Sequence, residues 1–157
     1  MRMRITGTEA QTGAAVVLLL ATTALAQPER VAWLYDERQA IEASVKSGKP
    51  LLIDFRAEWC AACKMMDWHT WADPFVQREI AEHFVPLSLD LTAENEANQE
   101  LARKYDVAGL PTIVVVWCRG FEKACTIPGE GPARLTGYAA AAEMLERLRM
   151  LERPTSY

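Results

Sequence analysis

The sequence has few of the features expected of a nucleic-acid-binding protein. It lacks an excess of basic residues, because 17 lysines and arginines stand against 21 aspartates and glutamates, for a formal net charge of -4. Nucleic-acid-binding domains normally present a basic face, so we set this class of function aside. Internal repeats and low-complexity tracts are also missing. With 50% hydrophobic residues, the 157-residue chain has enough apolar material for one globular domain.

A hydrophobic run long enough to cross a membrane is missing as well. The uncharged run over 13–26 is shorter than the ~20 apolar residues that a spanning helix needs. It follows Arg2 and Arg4, and it ends in an A-x-A pattern, Ala24-Leu25-Ala26. This order is typical of a secretory signal peptide, although a retained membrane anchor is the alternative. We therefore predict that residues 1–26 are a cleaved signal peptide and that residues 27–157 form one exported domain.

Histidine and cysteine are scarce, which limits the metal sites that the chain can build. The only histidines are His69 and His83, and the only cysteines outside the Cys60-Ala61-Ala62-Cys63 motif are Cys118 and Cys125. A zinc ribbon needs a second CxxC motif or a suitably spaced histidine pair, so we predict no metal site. A purely structural disulfide within CxxC is also disfavoured, because so short a loop constrains the unfolded chain little.

Strand and helix patterns alternate along the exported part. Short apolar runs predict strands at 31–35, 50–55, 85–91, 113–117 and 134–138. Helical spacing and capping residues predict helices between Asp36 and Gly48, over 61–69, from Asp73-Pro74, over 92–105 and over 139–151. The order predicts an α/β fold, a three-layer α/β/α sandwich with a mixed central sheet.

The CxxC motif follows a buried strand and opens a helix. Free backbone N–H groups and the positive end of the helix dipole at this position stabilise a thiolate. Cys60 is therefore the expected nucleophile. Cys63, one turn further on, is the expected resolving thiol that attacks a mixed disulfide.

Two segments resemble the thioredoxin superfamily. Residues 54–64 (DFRAEWCAACK) are similar to its active-site segment, and 109–112 (GLPT) to its cis-proline loop. Within the superfamily, Ala61-Ala62, Asp73-Pro74 and residues 90–95 (DLTAEN) most resemble the C-terminal periplasmic domain of the thiol:disulfide interchange protein DsbD. The likeness extends over about 31–151. It implies a thioredoxin-like fold and thiol–disulfide exchange.

The resemblance also assigns roles to single residues. Asp54 matches the buried acid that exchanges a proton with the resolving thiol, and Asp67 matches an acidic residue that holds the cysteine pKa up. Trp59, Leu110 and Pro111 match the surface that binds an extended substrate. The alternatives are an inert, hydrogen-bonded Asp54, a solvated helix charge at Asp67 and ordinary core packing for Trp59.

These features favour a periplasmic protein-disulfide reductase that acts on protein disulfides without a cofactor. Its electrons would come from a membrane donor of the DsbD/CcdA type, since the chain lacks that membrane domain. A dithiol oxidase and a non-enzymatic binding or chaperone module are the alternatives. The second cysteine pair has two interpretations: a structural Cys118–Cys125 disulfide, which export permits, or two independent thiols, one of them redox-active.

Overall fold

The computed structural model describes residues 30–120, 124–129 and 131–152. Five helices and five strands are assigned within these residues. In chain order they are α1 (Glu37–Ser47), β1 (Leu51–Arg56), α2 (Ala61–His69), α3 (Pro74–His83), β2 (Val85–Asp90), α4 (Glu96–Lys104), β3 (Thr112–Arg119), β4 (Ala124–Thr126), β5 (Arg134–Thr136) and α5 (Ala141–Leu151). The predicted signal peptide, 1–26, lies outside the described residues. No helix in the described part of the chain is both long and apolar enough to cross a membrane.

The sheet is mixed, as the sequence predicts. Strand β1 lies at its centre, parallel to β2 and antiparallel to β3. The far edge of β3 is shared by two short strands: β5 pairs with its first residues, from Thr112 to Val114, and β4 with its last, from Trp117 to Arg119. The end of β3 near the CxxC motif is therefore held by β5, and the opposite end by β4.

Helices cover both faces of the sheet, which confirms the three-layer sandwich. Leu52 of β1 packs with α3 and α5 on one face, whereas Leu51, Ile53 and Phe55 pack with α1 and Tyr105 on the other. Successive side chains of a strand point to opposite faces, so a central strand must be apolar on both. Burial of each large side chain stabilises the fold by roughly 1.5–3 kcal/mol. This burial fixes β1, and β1 leads directly into the cysteine motif.

Capping residues place most helix ends where the sequence predicts them. Asp36 accepts a hydrogen bond from Gln39 N at 2.8 Å at the start of α1, and Gly48 ends that helix with a positive φ of 73°. Asp73 caps α3, whose first residue is Pro74. Because proline needs no N–H partner in the first turn, this start is favourable.

Several element boundaries differ from the sequence prediction, most of them by one or two residues. The strand predicted at 31–35 is wrong, since only Leu34 forms a bridge, to Leu87 of β2. The helix predicted over 92–105 begins only at Glu96, because the Asn95 side chain accepts a hydrogen bond from Asn98 N and caps it there. The last strand ends at Thr136 rather than at residue 138.

Candidate redox site

The first cysteine of the motif caps helix α2. Cys60 has extended backbone angles, and its Sγ accepts a hydrogen bond from Cys63 N at 3.1 Å. The two cysteines are joined in a disulfide with 5% and 2% of their surfaces exposed. The first turn of α2 carries no acidic residue. The helix N-terminus therefore presents a free N–H group and a positive dipole end to the Cys60 sulfur.

The Gly109–Thr112 loop lies against this disulfide. Leu110 packs on the small buried cluster of Ala57, Cys60 and Cys63. The Leu110–Pro111 peptide bond is cis. Below the loop, the Thr112 hydroxyl donates a hydrogen bond to the Gly109 carbonyl at 2.7 Å. The sequence-predicted residues Leu110 and Pro111 thus lie beside the CxxC pair.

Asp54 is a buried carboxyl in the central strand, six residues before Cys60 in the chain, and its exposed fraction is 2%. Burial raises its pKa from 3.8 to about 7. The Arg56 cation and a hydrogen bond from Trp71 lower this pKa, while the negative charge of Asp67 raises it. A carboxyl that titrates near neutrality can both release and accept a proton under physiological conditions.

Asp67 forms a bidentate ion pair with Arg56. Nη1 of Arg56 donates to Oδ1 of Asp67 at 2.6 Å, and Nη2 donates to Oδ2 at 2.7 Å. Both side chains are about one third exposed or less. The carboxylate on α2 is therefore held by a fixed cation, which limits how far its charge acts on its surroundings.

Arg56 was not among the site residues predicted from the sequence, although the sequence contains a signal for it. Residues two apart in a strand share a face, so Arg56 lies on the same side of the sheet as Asp54. Trp71 was not predicted either, because it contacts Asp54 only through the tertiary fold. Thr92 was missed too: its hydroxyl accepts a hydrogen bond from Glu58 N at 2.7 Å and ties the segment before Cys60 to the end of β2.

Trp59 lies on the surface beside the cysteines, with 67% of its surface exposed. Its indole Nε1 lies 3.5 Å from the Thr92 carbonyl oxygen. The ring lines one end of an open groove of about 410 Å³, which we call the Trp59 groove. Apolar contacts in the groove come from Leu91, Ala102, Val107 and Leu110.

The second cysteine pair is also a disulfide, joining Cys118 and Cys125. The two residues face each other directly across the β3–β4 pair. Cys118 lies six residues along β3 from Thr112, a distance of about 20 Å at the rise of a strand. The two disulfides thus occupy opposite ends of the sheet. In the described part of the chain, neither belongs to a group of three or more side chains placed to hold a metal ion.

Comparison with known proteins gives a consistent set of relatives. A profile of the family described as thioredoxin-like matches residues 32–117. The chain is 38% identical over 111 residues to the thiol:disulfide interchange protein DsbD of Yersinia pestis, a match that covers 71% of this chain and 17% of the relative. It is 33% identical over 131 residues to that of Pasteurella multocida, covering 83% and 21%. The chain therefore spans about a fifth of the length of these relatives.

Solved structures show the same similarity. The oxidised C-terminal domain of Neisseria meningitidis DsbD superimposes with a TM-score of 0.60 and 26% identity, over 78% of this chain and 100% of that one. A thioredoxin from Thermus thermophilus superimposes with a TM-score of 0.65 and 30% identity, over 78% and 88%. With its CxxC disulfide at the start of α2, the chain belongs to the thioredoxin-like family.

Proposed function

We propose that this protein is an exported thiol–disulfide oxidoreductase that reduces disulfides in other proteins. The observation that carries the proposal is the Cys60–Cys63 disulfide at the N-terminus of α2, with Leu110 packed on it. Similarity to proteins named for thiol:disulfide interchange supports the same reaction class.

The reaction moves two electrons through two thiol–disulfide exchanges. The Cys60 thiolate attacks one sulfur of a substrate disulfide, forming a mixed disulfide and releasing the other substrate sulfur as a thiolate. Cys63 then loses its proton and attacks the Cys60 sulfur. The substrate leaves with both sulfurs reduced, and the protein keeps the Cys60–Cys63 disulfide. The hydrogen bond from Cys63 N to the Cys60 sulfur supports the first step, because it favours the thiolate over the thiol.

Asp54 is the proposed proton acceptor for Cys63. A thiol with an ordinary pKa near 8.5 is mostly protonated at neutral pH, so the second exchange needs a base. The raised pKa of Asp54, about 7, leaves a large ionised fraction while keeping the group basic enough to take a thiol proton. Arg56 and Asp67 set this pKa in opposite directions, so we assign both as positioning residues.

Substrate binding is proposed for Trp59, Leu110 and Pro111. Trp59 and Leu110 both line the Trp59 groove, and Leu110 also contacts the buried disulfide. An extended segment in this groove would place its own disulfide over Cys60. The backbone of residue 110 could pair with such a segment as an added strand.

Electrons must be resupplied outside the cytosol, where no general reductant holds thiols reduced. We propose that the donor is a separate membrane protein of the DsbD/CcdA type. The sequence of residues 1–26 supports export to the periplasm, and similarity to proteins named for thiol:disulfide interchange supports a donor of this type.

Two alternatives use the same fold. A dithiol oxidase would need a strongly depressed Cys60 pKa, and the chain has no histidine between the cysteines to produce one. A binding or chaperone module would not need an intact CxxC pair above a buried acid with a raised pKa. Reduction is therefore the direction that these residues support best.

Insulin reduction by the purified protein, together with its reduction potential, tests the proposal. We expect turnover in the wild type, loss of turnover in Cys60→Ser and retention in the double variant Cys118→Ala/Cys125→Ala. Absence of dithiol activity in the wild type, or its persistence in Cys60→Ser, would refute an enzymatic role. A potential near that of strong periplasmic oxidants, about -120 mV, would instead favour the oxidase.

A further inference from the structure

Three potential metal ligands meet far from the cysteines, where helices α3 and α5 pack together. Glu79 and His83 are one turn apart on α3, so their side chains lie on the same face. Glu152 follows the last residue of α5. One ligand atom from each of the three side chains lies within 4.8 Å of the other two.

The Glu79 carboxylate has few hydrogen-bond donors around it in this position. Only 9% of its surface is exposed. Its Oε2 lies 3.3 Å from Nε of Arg149, but its Oε1 is buried and accepts no hydrogen bond within the described part of the chain. Arg149 therefore contacts only one of the two Glu79 carboxylate oxygens, and the other lies buried beside His83 and Glu152.

We propose that Glu79, His83 and Glu152 bind a divalent cation of the Zn²⁺ type. One imidazole with carboxylates is a ligand set that zinc accepts, with water as the fourth ligand. Zinc–ligand distances of about 2.0–2.2 Å require ligand atoms roughly 3.5 Å apart, so the side chains must close in by about 1 Å. His83 and Glu152 are both partly exposed and have room to move. The site uses no cysteine and is therefore distinct from the zinc ribbon excluded above.

The charged neighbours do not block the site. The Arg149 side chain is 56% exposed, so it can turn to solvent when a cation replaces it. Lys49 donates its Nζ to the Ala81 carbonyl at 3.0 Å and is held there. Glu82, with an oxygen 3.7 Å from His83 Nε2, adds negative charge beside the site.

Binding here would tie the end of α5 to α3. Glu152 shares a cavity with Pro50 and Cys118, residues at the end of the sheet opposite to the CxxC pair. We therefore expect the cation to change the stability of the protein and not its thiol exchange. The inference is independent of the proposed reductase function.

The test uses untagged protein with both disulfides formed, so that no thiolate competes for metal. ZnCl₂ and MgCl₂ are added separately, and binding is measured by calorimetry and by the shift of the unfolding temperature. We expect one Zn²⁺ per chain, a higher unfolding temperature with zinc and no response to magnesium, which prefers an all-oxygen shell.

Matched variants identify the ligands. His83→Ala and Glu152→Gln should each weaken zinc binding by about tenfold or more. His69→Ala and Glu146→Gln remove the other histidine and an exposed carboxylate of α5, and both should bind zinc as the wild type does. Unfolding temperatures without metal verify that each variant folds. Absence of zinc binding in the wild type, wild-type affinity in His83→Ala, or loss of binding in His69→Ala would overturn the proposal.

Discussion

Asp54 is the residue in which stability and the proposed chemistry conflict most directly. Its burial in β1 makes the ionised form unfavourable and raises its pKa to about 7. An apolar residue at this position would pack without that penalty. A carboxyl in the centre of the sheet is therefore best explained by the proton that the second thiol exchange must move.

Replacing Asp54 by asparagine should stabilise the oxidised protein in a pH-dependent way. In the wild type the folded state binds the proton more tightly than the unfolded state, whose pKa is about 3.8. The contribution of Asp54 to the free energy of unfolding is therefore largest at acid pH and falls by about 1.4 kcal/mol per pH unit between roughly pH 4 and pH 7. Asp54→Asn removes this loss, so its advantage in unfolding temperature should grow through that window and level off above it. The same variant should reduce insulin more slowly.

Asp106→Asn is the control for this prediction, because Asp106 is exposed. Its positive φ of 51° is also one that asparagine tolerates. It should leave the pH dependence unchanged. A constant difference in unfolding temperature between Asp54→Asn and wild type, from about pH 4 to pH 8, would show that Asp54 does not titrate in this range.

The residues proposed to carry the chemistry lie closer together in the sequence than those proposed to tune it. Cys60, Cys63 and Asp54 lie in one continuous segment whose spacing is diagnostic. The Arg56–Asp67 ion pair joins a strand to a helix, so it depends on how α2 packs on the sheet. Spacing indicates that Arg56 and Asp54 share a face, but it does not indicate which carboxylate the guanidinium will bind.

At the scale of elements, β4 is, together with β5, one of the two shortest strands of the sheet. It has three residues and pairs only with the last three residues of β3. Pairing this short is marginal without a further constraint. The Cys118–Cys125 disulfide joins these strands at the central pair of their register and supplies that constraint.

Removing the second disulfide should lower stability without affecting thiol exchange. Closing a loop of this length in the unfolded chain is worth about 2.5 kcal/mol in the chain-entropy description. Cys118→Ala/Cys125→Ala should therefore unfold at a lower denaturant concentration and still reduce insulin, since Cys60 lies at the other end of the sheet. Chemical denaturation of both proteins measures the difference. If alkylation and mass spectrometry find Cys118 and Cys125 free in the oxidised wild type, this structural role is refuted.

Local signals predicted most of the elements, and the strand predicted at 31–35 was wrong because tertiary contacts decide whether a strand forms there. Caps such as Asp36 and Asp73 act within one turn, so the corresponding helix starts could be predicted from sequence. The apolar run over 31–35 looks like a strand, but a strand also needs a neighbour along its whole length. The chain reaches the edge of β2 only at Leu34, and a single bridge results.

On the scale of the whole molecule, the fold places two disulfides with different proposed roles at opposite ends of the sheet. Cys60–Cys63 lies at the end of the sheet with the Trp59 groove and is the proposed site of exchange. Cys118–Cys125 lies at the other end and fastens a hairpin. One molecule thus contains one cysteine pair that we propose is oxidised and reduced in each reaction cycle. It also contains a second disulfide that thiol–disulfide exchange should leave intact.

This separation makes the direction of electron flow measurable in cells. A reductase supplied by a membrane donor should be found mostly with Cys60 and Cys63 reduced, although its compartment favours disulfides. Rapid acid quenching, alkylation and mass spectrometry of the periplasmic fraction would report both pairs in the same molecules. We expect Cys118 and Cys125 to remain oxidised, and this serves as an internal control against reduction during handling. Deleting the membrane donor should shift Cys60 and Cys63 to the disulfide. If both pairs are fully oxidised while the donor is present, the protein does not act as a reductase, and the dithiol oxidase becomes the better explanation of the same site.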